Sequence, residues 1–273
     1  MAPPEKLYVY EILGRVSPPG WLTAEDFLGC WREGECSYLF FSRPREAEVL
    51  KWLAAEPKAG TYLSATELNY ADWEAGQAFT PTRVAGFYLC PVWWEPQPQP
   101  GDVLLKLEPG LAFGSGYHPT TRLCLTLLRQ VFDAEPVFRV LDLGTGTGVL
   151  TLAALALGAK QAVAVEYNEL AVRTAQCNFR HNEVSDRVLL IQGDARHFTH
   201  PPADLALANI HLDVLLDLLA VPEFLDKTWY IFSGILGTQM VPFREALAAS
   251  PLEVMAALDQ NMWYAVLARR RGT

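Results

Sequence analysis

The chain has 273 residues, of which 51% are apolar and 19% charged, and carries a formal net charge of −9. That composition supports a sizeable core and excludes a disordered chain, while the length leaves one domain or two open. The acidity argues against direct nucleic-acid binding, which draws on clustered Lys and Arg, and suits a basic protein or a small molecule as partner.

In chain order, Leu7–Leu13 is rich in β-formers and reads as a strand. Thr23-Ala24-Glu25-Asp26 reads as the start of a short helix capped by Thr23. The run WREGECSYLFF reads as a hairpin turning near Glu33-Gly34, with Ser37–Phe41 as a strand. Arg45–Ala55 has helical spacing at Val49, Leu50, Trp52 and Leu53, and Gly60–Thr66 reads as another strand. The order β-α-β-β-α-β is ferredoxin-like, so a small α+β domain is expected over 1–66. Residues 67–100 are aromatic and proline-rich and read as a linker, with PQPQP extended and exposed. Trp93-Trp94 there reads as a packing pair more readily than as a cage for a cation.

From residue 101 onward, short apolar strands alternate with helices: Phe138–Leu143, Ala162–Glu166, Val188–Gln192, Leu205–Asn209 and Trp229–Phe232. Wholly apolar strands separated by helices predict a doubly wound, mostly parallel sheet buried on both faces. Leu252–Leu258 and Trp263–Arg269 are separated only by a turn around Gln260-Asn261, so the sheet should end in an antiparallel hairpin.

The five cysteines, Cys30, Cys36, Cys90, Cys124 and Cys177, are odd in number and show no C-x-x-C spacing. Neither a disulfide framework nor a metal site is expected. The N-terminus MAPPEKLYVY has no basic region followed by an apolar run, and no apolar stretch is long enough to span a bilayer. The expectation is a cytoplasmic protein without membrane attachment, and a monomer.

The chemistry centres on Val140-Leu141-Asp142-Leu143-Gly144-Thr145-Gly146-Thr147-Gly148. It ends a strand and opens a helix, where glycines allow a tight turn and close approach of a ligand to the backbone. The dinucleotide fingerprint G-x-G-x-x-G is not met, because Val149 stands where its third glycine would be. Glu166, about twenty residues on, can accept from both hydroxyls of a ribose. Asp194, in Gly193-Asp194-Ala195, reads as an adenine contact or as a helix cap. Asn209 ends the fourth strand facing the crevice above the sheet, where its oxygen and a nearby carbonyl can accept from an attacking amine.

Ahead of the loop stands LEPGLAFGSGYHPTT, Leu107 to Thr121. Together with VLDLGTGTGVLTLAALALGA, ADLALANI, FSGILGTQ and ADWEAGQAFTPTRV, it resembles the PrmA-type ribosomal protein L11 methyltransferases from about Asp72 to the C-terminus. The resemblance implies a Rossmann-like class I methyltransferase domain over 101–273, preceded by a small substrate-recognition domain on a linker. It implies S-adenosylmethionine as cofactor and methylation of lysine side chains, with an N-terminal amine in addition, on a ribosomal protein. The cofactor residues implied by motif and position are Phe113, Gly114, Ser115, Thr121, Asp142, Gly144, Gly146, Gly148, Glu166, Asp194 and Asn209. Asn209, Phe113 and His118 are the candidates for catalysis, His118 more as a loop-positioning group than as a proton donor. The chain departs from the family pattern at Ser115, where Thr is usual, at Glu166, where Asp is usual, and at His211, which reads as a bystander at the crevice rim. Other readings are a lysine methyltransferase of another protein, such as an electron-transfer flavoprotein subunit, a small-molecule methyltransferase, and a cofactor sensor without catalysis. Retention of the whole Phe113–Thr121 segment beside Asn209 argues against the sensor.

Overall fold

In the computed structural model the described residues are 4–23, 26–70, 79–111 and 114–272. They divide into two units, Met1–Phe79 and Thr80–Thr273.

The first unit comprises strands β1 (Lys6–Leu13), β2 (Phe27–Glu33) and β3 (Cys36–Phe41), helix α1 (Glu46–Ala55) and strand β4 (Thr61–Asn69). The sheet order is β2-β3-β1-β4, antiparallel throughout, which is the strand order of a ferredoxin-like sheet, with the second of the two helices read from the sequence in place as α1. Alternation along the strands turns Tyr10, Ile12, Leu39 and Phe41 to one face, where they meet Val49, Trp52 and Leu53 of α1. A period of two on the sheet thus meets a period near 3.6 on the helix. Register pairs Glu33 with Cys36 and leaves Gly34 in the turn at φ +57, a conformation that glycine adopts at no steric cost. The short helix expected at Thr23–Asp26 falls partly on residues 24–25, which lie outside the described residues. Among the described residues no helix joins β1 to β2.

The second unit opens with β5 (Thr82–Val84), β6 (Phe87–Pro91) and β7 (Val103–Leu107). These form a sheet in the order β5-β6-β7, the first pair antiparallel and the second parallel. Residues 82–91 lie inside the segment read as a linker, yet every residue of β6 is buried. An apolar run such as FYLCP gains more from burial in a sheet than from exposure in a tether.

The remaining elements are α2 (Pro119–Ala134), β8 (Arg139–Leu143), α3 (Val149–Leu157), β9 (Gln161–Glu166), α4 (Glu169–His181), β10 (Val188–Gln192), β11 (Leu205–Asn209), α5 (Leu212–Leu219), β12 (Trp229–Leu236), α6 (Met240–Ala249), β13 (Leu252–Gln260) and β14 (Trp263–Arg270). Seven strands order as β10-β9-β8-β11-β12-β14-β13. The first five are mutually parallel, and β14 runs antiparallel between β12 and β13. The central strands are buried almost end to end, as apolar runs covered on both faces must be. On one side Leu215, Leu218, Phe224, Tyr230, Phe232 and Phe243 form a core cluster. Each such side chain contributes roughly 1.5–3 kcal/mol when fully buried.

Strand β12 continues to Leu236, beyond the Phe232 expected. Gly234, at φ +84, carries the strand through an irregularity between Ser233 and Ile235, after which pairing to β14 resumes. Strand order reverses between β8 and β11, so the connections after them diverge and open a crevice at their carboxyl ends. No helix among the described residues is long and apolar enough to cross a membrane.

Candidate active site

The glycine loop follows β8 at that reversal. Gly144 and Thr145 both donate backbone N–H groups to the Val165 carbonyl of β9, at 2.8 and 3.0 Å. Gly144, Gly146 and Gly148 all have positive φ, at 76°, 56° and 82°. Gly148 is the N-cap of α3, and a Cβ there would meet Phe179 at 2.6 Å. A side chain at this position would be opposed by both the backbone and α4.

Asp142 is buried, and its Oδ2 accepts from Thr145 Oγ1 at 2.7 Å and Thr151 Oγ1 at 2.6 Å. Burial pushes this carboxyl up to about 6, with the threonine hydroxyls pulling the other way. Asp142 therefore ties the first turn of the loop to the first turn of α3. Glu166, at the end of β9, reaches back across the loop. Its Oε2 accepts from Gly146 N at 3.0 Å and its Oε1 from Asn168 N at 2.8 Å. Burial raises its pKa, against the pull of those N–H groups.

Asn209 ends β11 beside Ser233 of β12. Its Oδ1 is buried and accepts no hydrogen bond among the described residues, and the same holds for Thr121 Oγ1 in the first turn of α2. Buried acceptors without donors are rare in folded proteins, so each calls for a specific explanation. Ser233 is itself occupied, donating to the Tyr264 carbonyl at 2.8 Å, while its own carbonyl accepts from Ile210 N at 3.2 Å.

The other sequence candidates are placed as follows. Phe113 lies outside the described residues. Gly114, at φ +108, presents its carbonyl to Thr147 Oγ1 at 2.7 Å, and Ser115 is buried. His118 caps α2: its Nδ1 lies 2.8 Å from Thr120 Oγ1 and accepts from Thr120 N at 3.4 Å, while the ring meets Trp263 edge-on at 4.9 Å. Burial lowers its pKa. Asp194 caps the short turn Ala195–His197 by accepting from Arg196 N, and the Arg196 guanidinium also pairs with Asp194, Asp213 and Asp217. The cap read from the sequence is therefore present, and it leaves the carboxylate lone pairs for a further donor. His211 precedes α5 and makes no side-chain cap.

Two further residues shape the crevice. Gly234 faces Ile210, whose carbonyl would lie 2.4 Å from a Cβ at position 234; only a glycine admits the Asn209-Ile210 backbone this close. Asn178 on α4 is fully buried and donates to the Thr147 carbonyl at 2.9 Å. Its only sequence signal is a polar residue at an otherwise buried helical position.

Residues 29–271 match the family described as ribosomal protein L11 methyltransferase (PrmA). The chain is 34% identical over 233 residues to the protein named ribosomal protein L11 methyltransferase of Exiguobacterium sibiricum, covering 83% of this chain and 72% of that one. The protein of the same name from Desulfitobacterium hafniense is 38% identical over 211 residues, with 76% of this chain and 66% of that one covered. A crystal structure titled ribosomal protein L11 methylase, from Lactobacillus delbrueckii subsp. bulgaricus, aligns with a TM-score of 0.61 at 29% identity, over 68% of this chain and 95% of that one. The resemblance read from the Phe113–Thr121 segment and the glycine loop is thus matched along nearly the whole chain, and the chain belongs to the ribosomal protein L11 methyltransferase family.

Proposed function

We propose that this protein transfers methyl groups from S-adenosylmethionine to amino groups of ribosomal protein L11, chiefly lysine ε-amines and also an N-terminal amine. The observation that carries the reading is the buried, unpartnered Oδ1 of Asn209 at the crevice mouth. An oxygen that can only accept is suited to the N–H of an amine.

The residues fit the cofactor. A second orphaned acceptor, Thr121 Oγ1, lies in the first turn of α2. Gly144, Gly146 and Gly148 leave the loop backbone bare at three alternate positions, and the partly buried Glu166 carboxylate retains lone pairs beyond the two N–H groups it accepts. When bound, S-adenosylmethionine supplies a methyl group already activated on a sulfonium. What remains for the protein is alignment, a proximity effect. The amine must be neutral to attack, against a free lysine pKa of about 10.4, and an enclosed crevice favours the neutral form. Asn209 Oδ1 and the adjacent backbone carbonyl orient its N–H bonds. In this reading residues 1–66 recognise the protein substrate, residues 101–273 perform the transfer, and the protein acts as a cytoplasmic monomer that contacts neither nucleic acid nor membrane.

The test is Asn209→Ala. Because the wild-type oxygen is unpaired, its removal leaves the melting temperature equal or higher. Turnover falls on the order of a hundredfold, the loss typical of one removed polar group at a reacting centre, while affinity for S-adenosylhomocysteine moves less than about tenfold, roughly the 1.4 kcal/mol of one lost hydrogen bond. Unchanged turnover removes Asn209 from the mechanism.

A further inference from the structure

The face of α4 that carries Thr174 and Asn178, continued one turn on by the C-cap residue Asn182, runs alongside the outer edge of β7 and the chain beyond it. Asn182 accepts from Lys106 N at 2.9 Å and donates to Lys106 O at 2.7 Å. One helical turn earlier, Asn178 accepts from Glu108 N at 2.7 Å and donates to Glu108 O at 3.0 Å. One turn earlier again, Thr174 lies against Gly110, whose Cβ would meet Thr174 Oγ1 at 2.4 Å. Helix positions spaced by four thus meet chain positions spaced by two. The geometry allows this because four helical residues rise about 6 Å and two extended residues about 6.6 Å. The two asparagine amides supply β7 with the ladder that its outer edge lacks in the three-stranded sheet.

The two asparagines differ in one respect. Asn182 donates its remaining N–H to the Asn178 carbonyl at 2.8 Å, within the helix. Asn178 donates its own to the Thr147 carbonyl in the glycine loop. Thr147 in turn holds the Gly114 carbonyl through its hydroxyl. Glu108 and Gly114 are therefore both referred to one residue of the glycine loop.

We propose that Asn178 is a positioning residue for the transfer reaction: through Thr147 it sets the glycine loop against the Glu108 and Gly114 backbones, and so fixes the width of the cofactor cradle. This inference rests on the cofactor reading above, and Asn182 provides an internal control, since it grips the same strand edge without touching the loop.

The experiment compares Asn178→Ala and Asn182→Ala in the full chain, by amide hydrogen exchange without ligand and by titration with S-adenosylhomocysteine. Both variants lose a clamp on β7, so both lower the melting temperature. Asn178→Ala alone speeds exchange in 144–148 and 114–118, and it weakens S-adenosylhomocysteine about tenfold, the equivalent of one lost hydrogen bond. Asn182→Ala leaves both within about twofold. In a double-mutant cycle the effects of Asn178→Ala and Thr147→Val on affinity are non-additive. Equal changes in exchange and affinity for the two asparagine variants would overturn the proposal and reduce Asn178 to a fold-stabilising role. If the wild-type protein binds no S-adenosylhomocysteine, the cofactor reading fails, and the ligand-free exchange comparison still decides the role of Asn178.

Discussion

The carboxylate of Glu166 accepts the backbone N–H of Gly146 at 3.0 Å. The end of β9 is thereby fastened to the middle of the loop that follows β8, two segments twenty residues apart that together form one wall of the crevice. Glu166→Gln keeps the length but gives a side chain with one acceptor oxygen, which cannot serve both Gly146 N and Asn168 N as the two carboxylate oxygens do. The expected outcome is an S-adenosylhomocysteine dissociation constant raised by about tenfold or more, in line with a lost charge-assisted bond, and read by titration calorimetry. An unchanged constant would place the bond outside cofactor binding.

Asp142 makes stability depend on pH. Its folded-state pKa is raised by burial to about 6 from 3.8. The folded state therefore holds this proton more tightly than the unfolded chain does. Its contribution is most favourable below about pH 4 and is lost as pH rises through 6, by about 2–3 kcal/mol. Glu166, raised in the same direction, adds to the trend. Asp142→Asn carries no such proton. The stability of Asp142→Asn relative to wild type should grow between pH 4 and 7 in denaturant melts, and a difference that stays constant across that range would contradict the assignment.

Gly234 permits the close approach of Ile210. With φ at +84 and the Ile210 carbonyl 2.4 Å from the Cβ site, Gly234→Ala must move backbone, not a flexible side-chain end. The expected result is a stability loss of roughly 1–3 kcal/mol together with a turnover loss, since Asn209 is displaced with its neighbour. Gly144→Ala carries the same positive-φ strain, at 76°, but meets the Ile210 side chain, Cδ1 at 2.8 Å and Cγ1 at 3.3 Å, and no backbone, so the difference between the two variants isolates the backbone approach. Thermal melts and steady-state rates on both variants check this.

His118 caps α2 and has its pKa lowered by burial, so it is neutral near pH 7. As a capping group it should be replaceable. His118→Asn, which can also accept from the first turn, should keep turnover within about threefold of wild type, and His118→Ala should cost about 1 kcal/mol of stability. A turnover loss above a hundredfold in both variants would restore a catalytic role.

Much of the fold is legible in the sequence because its central strands are short, mainly apolar runs with Asp142, Glu166 or Asn209 at or next to their carboxyl ends, and because Gly144, Gly146 and Gly148 mark the turn from β8 to α3. The hairpin of β13 and β14 is legible from the turn between two β-rich runs. The burial of β6 is not, since FYLCP sits among prolines and tryptophans that suggest a tether. Asn178 and Thr147 are not legible either: each works by bonding the backbone of Glu108 or Gly114, and backbone acceptors leave no trace in residue identity. For Asp194 the cap is legible as an Asp directly before a short helical turn, whereas its ion pair with Arg196 depends on how that side chain folds back.

The central claim is methyl transfer to amino groups of ribosomal protein L11, and the direct measurement is mass spectrometry of purified L11 after incubation with this protein and S-adenosylmethionine. The account predicts mass increments of whole methyl groups on L11, mapped to lysine side chains or the N-terminal amine and lost with Asn209→Ala. Binding of S-adenosylhomocysteine with no methyl gained by L11, in a preparation that methylates another protein or a small molecule, would contradict it.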